Sequence, residues 1–221
     1  MRTNSIKTTL VLAATLAAAA LPQAADAPLR YDSQPRGSKV IIDGDSTIHA
    51  WTVEGLVIGG GFEIEPAFGT DKTLKSVASM NTKGKAPIAK VTIPVRSLKS
   101  GKEKMDEIMQ EAMKMAENRS ITYRLTEMVV KGDVPASGTP VKFDTKGDLA
   151  ISGVTNNVAM EVTLDRLEDG RIKFTGVKEL KMTDFKIKPP APSILGMSPI
   201  KTADDVKIKF EWVLAPKKDA Q

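Results

Sequence analysis

Val206-Lys207-Ile208-Lys209-Phe210-Glu211-Trp212-Val213-Leu214 places an apolar side chain at every second position and, up to Trp212, a charge between each pair. Successive side chains of a β-strand point to opposite faces, so period 2 over nine residues marks a strand with one buried and one wet face. The same register recurs in Val141-Phe143, Leu149-Ile151, Val158-Met160-Val162-Leu164 and Ile172-Phe174. Val40 to Ile58 reads as one or two further strands, continuing through Gly59-Gly60-Gly61 to Phe62 and Ile64, with others at Lys90–Val95 and Ile121-Tyr123-Leu125. Asp169-Gly170 is a tight hairpin signal, and Gly153 to Asn157 reads as a longer turn. The predicted class is all-β, a sheet with one buried face that at this strand count, about eight, closes into a barrel.

One segment breaks the period. Met105, Ile108, Met109, Ala112, Met113 and Ala116 recur at helical spacing within 102–117, and Ser100 with Glu103 has the form of a capping box. A single amphipathic helix is therefore expected, inserted between strands.

Residues 1–27 read as a cleaved secretory signal: Arg2 and Lys7 precede an apolar run from Leu10 to Leu21, and Ala25-Asp26-Ala27 spaces small residues for a peptidase. The run falls short of the ~20 residues that span a bilayer. Residues 28–221 then form one domain, periplasmic or secreted. With no cysteine, an exported chain must be held by its core alone, and only 5% of residues are aromatic, so aliphatic side chains and the ten methionines supply it. The chain carries 32 basic and 27 acidic residues; losing Arg2, Lys7 and Asp26 leaves 30 and 26, a net charge of +4. That excess alternates with acids instead of forming a patch, which argues against nucleic acid as a partner.

Asp45-Ser46-Thr47-Ile48-His49-Ala50-Trp51-Thr52-Val53-Glu54-Gly55, then Ile93-Pro94-Val95-Arg96-Ser97-Leu98-Lys99-Ser100-Gly101, then Gly147 to Val158, and Met182-Thr183-Asp184-Phe185-Lys186-Ile187-Lys188-Pro189-Pro190 with Leu195-Gly196 resemble the YceI-like lipid/polyisoprenoid-binding family, in that family's order. The resemblance implies an extended, lipocalin-like antiparallel barrel whose interior takes a long amphiphile, typically an isoprenoid chain, with no cofactor beyond that ligand. Lys186 departs from the Gly usual at its position in that pattern, and a long cation there is expected to narrow or re-charge the entrance.

Candidate ligand contacts follow from the strand and helix faces. His49, Trp51 and Val53 alternate and are expected on one face, with the imidazole facing a head group or held as a structural histidine near the rim. Met105, Ile108, Met109 and Ala112 form the helical stripe, either plain core or a lid whose flexible thioethers repack around a ligand. Phe185 and the apolar loop residues Ile194, Leu195 and Met197 offer a further patch over the barrel end. Arg96, Lys99, Lys102 and Lys186, with Lys104 and Lys188, are expected as a cationic rim that attracts an acidic head group or touches a membrane surface transiently. Gly147, Gly153, Gly176 and Ala150 leave room for a hollow, although glycines also serve bends and bulges.

No Ser/His/acid or Cys/His constellation accompanies the lone histidine, and Asp43, Asp45 and His49 on an extended chain are too far apart to share one metal ion. The expected function is a carrier that sequesters an isoprenoid or other long-chain lipid in the periplasm, not an enzyme. The alternative is a barrel with a filled core, acting as a structural or protein-interaction module of the envelope.

Overall fold

A computed structural model describes residues 27–193 and 199–217. Among these residues the strands are β1 (Leu29–Ser33), β2 (Lys39–Ser46), β3 (Trp51–Gly55), β4 (Gly59–Ile64), β5 (Ile88–Pro94), β6 (Leu98–Lys99), β7 (Ser120–Val130), β8 (Val141–Ile151), β9 (Val154–Arg166), β10 (Ile172–Lys181) and β11 (Thr202–Pro216), with short helices α1 (Ala67–Thr70) and α2 (Ala78–Asn81) and the longer α3 (Glu103–Ala112). All strand pairings are antiparallel. Eight strands close a ring in the order β1-β4-β5-β7-β8-β9-β10-β11, and β11 returns to β1 through Ser33↔Leu214 and Tyr31↔Pro216.

The period-2 register positions the core directly. In β8, Val141, Phe143, Thr145 and Gly147 are buried while Lys142, Asp144 and Lys146 face water. Three strands of the ring are broken. β2 replaces β1 as the neighbour of β11, β3 stands above β4, and β6 continues β5 after a 3₁₀ turn at Val95–Ser97. These breaks extend one side of the barrel upward, and the run expected as one or two strands from Val40 to Ile58 is an antiparallel pair, β2 and β3.

The lower end is closed by the chain between β4 and β5. Phe68, Leu74, Val77 and Met80 from this segment are wholly buried beneath the strands. Glu65 holds α2 by accepting the backbone N–H (2.8 Å) and hydroxyl (2.5 Å) of Ser79, and Asp71 accepts from Thr73 and Ser76. Tyr31, Phe62, Phe68, Phe174 and Trp212 pack edge-on or tilted, with ring centroids 5.1 to 6.4 Å apart.

The upper end differs. β9 and β10 pair only from Val162↔Gly176 down to Arg166↔Ile172, and above that they separate. A 3₁₀ turn at Met182–Phe185 folds back to the seam, burying Phe185 and Ile187, and is tied by Asn156 Nδ2 donating to the Asp184 carbonyl (2.8 Å). α3 lies between the top of β6 and the start of β7.

Several local expectations are corrected. Helix α3 spans 103–112, not 102–117, because Lys114 takes a left-handed conformation (φ 53°) and Met115 N–H donates to the Gln110 carbonyl, a Schellman ending. The Ser100–Glu103 capping box does not form: Lys102 occupies the N-cap position, and Asp106 reaches back instead, accepting the backbone N–H and the hydroxyl of Ser100 (both 2.7 Å). The turn expected over 153–157 is the two-residue Ser152-Gly153, both at positive φ, and Val154 already belongs to β9. The signal segment falls outside the described residues, apart from Ala27.

Candidate functional site

Above the aromatic floor the barrel encloses a cavity of about 740 Å³, within the size range of small-molecule sites. Its walls are the inward positions of the strands: Ile42 and Val53, Leu149 and Ile151, Met160, Leu180, Ile208 and Phe210. Phe62, Phe174 and Trp212 form the floor, and Met105, Ile108, Met109 and Ala112 of α3 supply the roof. The first turn of the roof helix is fastened by polar contacts. Asp106 is buried, bonded twice to Ser100 and 3.5 Å from the Lys99 ammonium. Burial raises its pKa, but the Ser100 bonds and Lys99 outweigh that and hold the carboxyl below its ordinary value.

Small residues do not create the hollow. A methyl group built on Gly44 would run into the Trp51 indole, on Gly147 into the Tyr123 ring, and on Gly176 to within 2.6 Å of Phe210. In each case an aromatic side chain from the neighbouring strand lies flat over the glycine, and the wall is thereby thickened. Such pairing pins strand register. Gly153, at φ 78° in the β8–β9 turn, supplies a backbone conformation, not space.

The charged groups in the lining are of one sign. Lys102 and Lys104 come from the start of α3, Lys178 and Lys181 from β10, with His49 at the mouth, Tyr123 and Thr145 on the wall, and the hydroxyls of Ser46, Ser193 and Thr202; among the described residues no carboxylate lines the cavity. Lys104 pairs with Glu107 (2.9 Å) and Lys181 with Asp205 (3.0 Å). Among the described residues Lys102 and Lys178 have no ion pair. The Tyr123 hydroxyl is buried with no partner of hydrogen-bond geometry among the described residues, and the Thr145 hydroxyl beside it donates to the Met160 carbonyl (2.9 Å). Burial pushes the phenol up to about 12, so it stays a neutral donor.

The YceI-like domain profile matches residues 31–214. The chain belongs to the YceI-like family. Among solved structures it is similar to BcnA of Burkholderia cenocepacia (21% identity, TM-score 0.60, covering 82% of this chain and 99% of that one). It is also similar to a polyisoprenoid binding domain from Saccharophagus degradans implicated in plant cell wall breakdown (14% identity, TM-score 0.58, 85% and 98% covered). Both share the barrel fold. No curated protein sequence matches the chain.

On this YceI-like barrel, Trp51, Val53, Met105, Ile108, Met109, Ala112 and Phe185 line the cavity together, as does Lys102 at the mouth. His49 also lines it but is not on the strand: β3 starts at Trp51, and His49 sits exposed in the preceding turn, its Nδ1 2.8 Å from the Ala50 carbonyl. The Trp51 indole instead donates to the Asp45 carbonyl (3.1 Å), which fixes it over Gly44.

Arg96, Lys99 and Lys186 do not line the cavity. Arg96 lies in the 3₁₀ break beside β5, and Lys99 is committed to Asp106. Lys186 adopts φ 55° after the Met182–Phe185 turn and is exposed outside the mouth, so it neither narrows nor re-charges the lining. A left-handed backbone is the physical reason a Gly suits this position. Ile194, Leu195 and Met197 lie outside the described residues. Sequence reasoning missed Lys178, although its signal was available: it shares parity with Phe174, Gly176 and Leu180 on one strand.

Proposed function

We propose that this YceI-like protein is an exported lipid-binding protein, periplasmic or secreted, that sequesters an isoprenoid or other long-chain amphiphile inside the barrel and carries it. The carrying observation is the apolar cavity of about 740 Å³, closed below by packed aromatics and roofed by a Met-rich helix. An apolar tail would run down toward Phe62, Phe174 and Trp212, with the polar head at the lysine-bearing mouth. At about 0.3 kcal/mol per heavy atom, a tail of roughly 30 carbons contributes about 9 kcal/mol, sub-micromolar binding without any head-group bond. The polyisoprenoid binding named for the Saccharophagus domain supports the ligand class, and the basic, apolar N-terminal segment supports export. Binding without turnover fits a lining of alkyl and aromatic groups. A filled interior describes the lower half of this barrel but not the upper half.

Native mass spectrometry of the purified protein, with organic extraction of what co-purifies, tests the reading. A retained long-chain lipid, or uptake of a fluorescent lipid that changes Trp51 emission, is the expected result. A protein that is lipid-free as purified and takes up no such probe overturns it.

A further inference from the structure

Lys178 is out of place for a lipid container. It occupies an inward position of β10 between Gly176 and Leu180, with Ile208 opposite on β11, so its stem is built into an apolar wall. β9 has already separated from β10 at this level, and among the described residues Lys178 forms no ion pair and no carboxylate shares the cavity lining with it. Lys102 stands without an ion pair at the start of the roof helix, while Lys104 and Lys181 have their charges answered by Glu107 and Asp205. A cation whose stem lines an apolar cavity and which lacks a counter-ion is stabilised by any anion that enters with the ligand.

We infer that the amphiphile bound here has an anionic head, a carboxylate or a phosphate, and that Lys178 is its ionic anchor, with Lys102 closing over it from the roof. This rests on the container reading above. Lys178 lies three positions before the end of β10 at Lys181, about 10 Å along a strand. The head is therefore held inside the lip instead of on the outer surface, and the tail fills the space between Lys178 and the aromatic floor. A neutral alcohol of the same chain length would bury the same tail and leave the ammonium unanswered.

The experiment measures the affinity of the delipidated protein for palmitic acid against hexadecanol and for farnesyl monophosphate against farnesol. A charged hydrogen bond predicts that the acidic member of at least one pair binds roughly ten- to a hundred-fold tighter than its alcohol. The pair that shows the preference distinguishes carboxylate from phosphate. In Lys178→Met the acid-to-alcohol ratio should fall to about one, and in Lys178→Arg it should persist; thermal melts verify that both variants fold. A ratio near one in the unmodified protein, or one that survives Lys178→Met, overturns the inference while leaving the container standing. Failure of all four compounds to bind removes the container reading and the inference with it.

Discussion

The two ends of this barrel are built from the same strands and obey the same alternation, yet one end is solid and the other hollow. At the floor, every inward position meets another side chain: Phe143, Leu164, Ile172 and Leu214 are sealed by Phe68, Leu74, Val77 and Met80 from the segment between β4 and β5. Higher up, Leu149, Ile151, Met160, Leu180, Ile208 and Phe210 point inward just as regularly but remain half-buried, because they face the cavity under α3 and not a packed plug. Alternation decides which face is apolar. Whether that face is packed depends on what the chain places opposite, and here a plug at one end and a tethered helix at the other divide a core from a binding site.

The sharpest test of that division is a pair of truncations. Phe68→Ala removes a ring that packs edge-on against Tyr31 and Phe62 and lies 4.0 Å beneath the Arg166 guanidinium, and it should destabilise the lipid-free protein by about 3 to 5 kcal/mol. Phe210→Ala, on the half-buried wall, should cost roughly 1 to 2 kcal/mol and instead weaken lipid uptake. Denaturant unfolding of the two lipid-free variants makes the comparison, and equal losses would erase the distinction between floor and mouth.

A smaller effect concerns the roof. Asp106→Ala leaves the Ser100 N–H and hydroxyl without their acceptor and should cost about 2 kcal/mol, expressed as faster amide exchange across α3 and faster lipid release. Acid should reproduce it. The folded carboxyl has a lowered pKa, so its contribution is complete above the unfolded value of about 3.9 and is lost as pH falls through the folded value. Exchange across α3 that stays constant from neutral pH down through that range would show that Asp106 does not hold the roof.

The smallest predicted change tests the glycine–aromatic pairs. In Gly176→Ala the new methyl pushes the Phe210 ring toward the cavity, at a net cost of about 1 kcal/mol after the gain in strand propensity. Lipid capacity should fall more noticeably than stability does. An unchanged capacity would mean that the ring moves elsewhere and that the wall is more compliant than its packing suggests.

Much of this was already written in the chain. Period 2 in Val206 to Leu214 and its counterparts specified the strands and their inward faces, the Asp169-Gly170 turn specified a hairpin, and the Met105–Met113 spacing specified a helix, because side-chain alternation and backbone propensity are local properties. The motifs that resemble the YceI-like family fell on the broken strands, on the β8–β9 hairpin and on the Met182–Phe185 turn that seals the seam. Other features belong to the tertiary structure alone. The roles of Gly147 and Gly176 depend on which ring the neighbouring strand brings over them, and the fate of Lys99 depends on Asp106 seven residues later. Distance along the chain placed Arg96 and Lys186 near the mouth, whereas strand parity and a left-handed backbone put Lys178 inside and Lys186 outside. The cavity itself has no local signature: an inward Leu at the floor and an inward Leu at the mouth obey one sequence rule, and only the presence or absence of a partner across the barrel separates them.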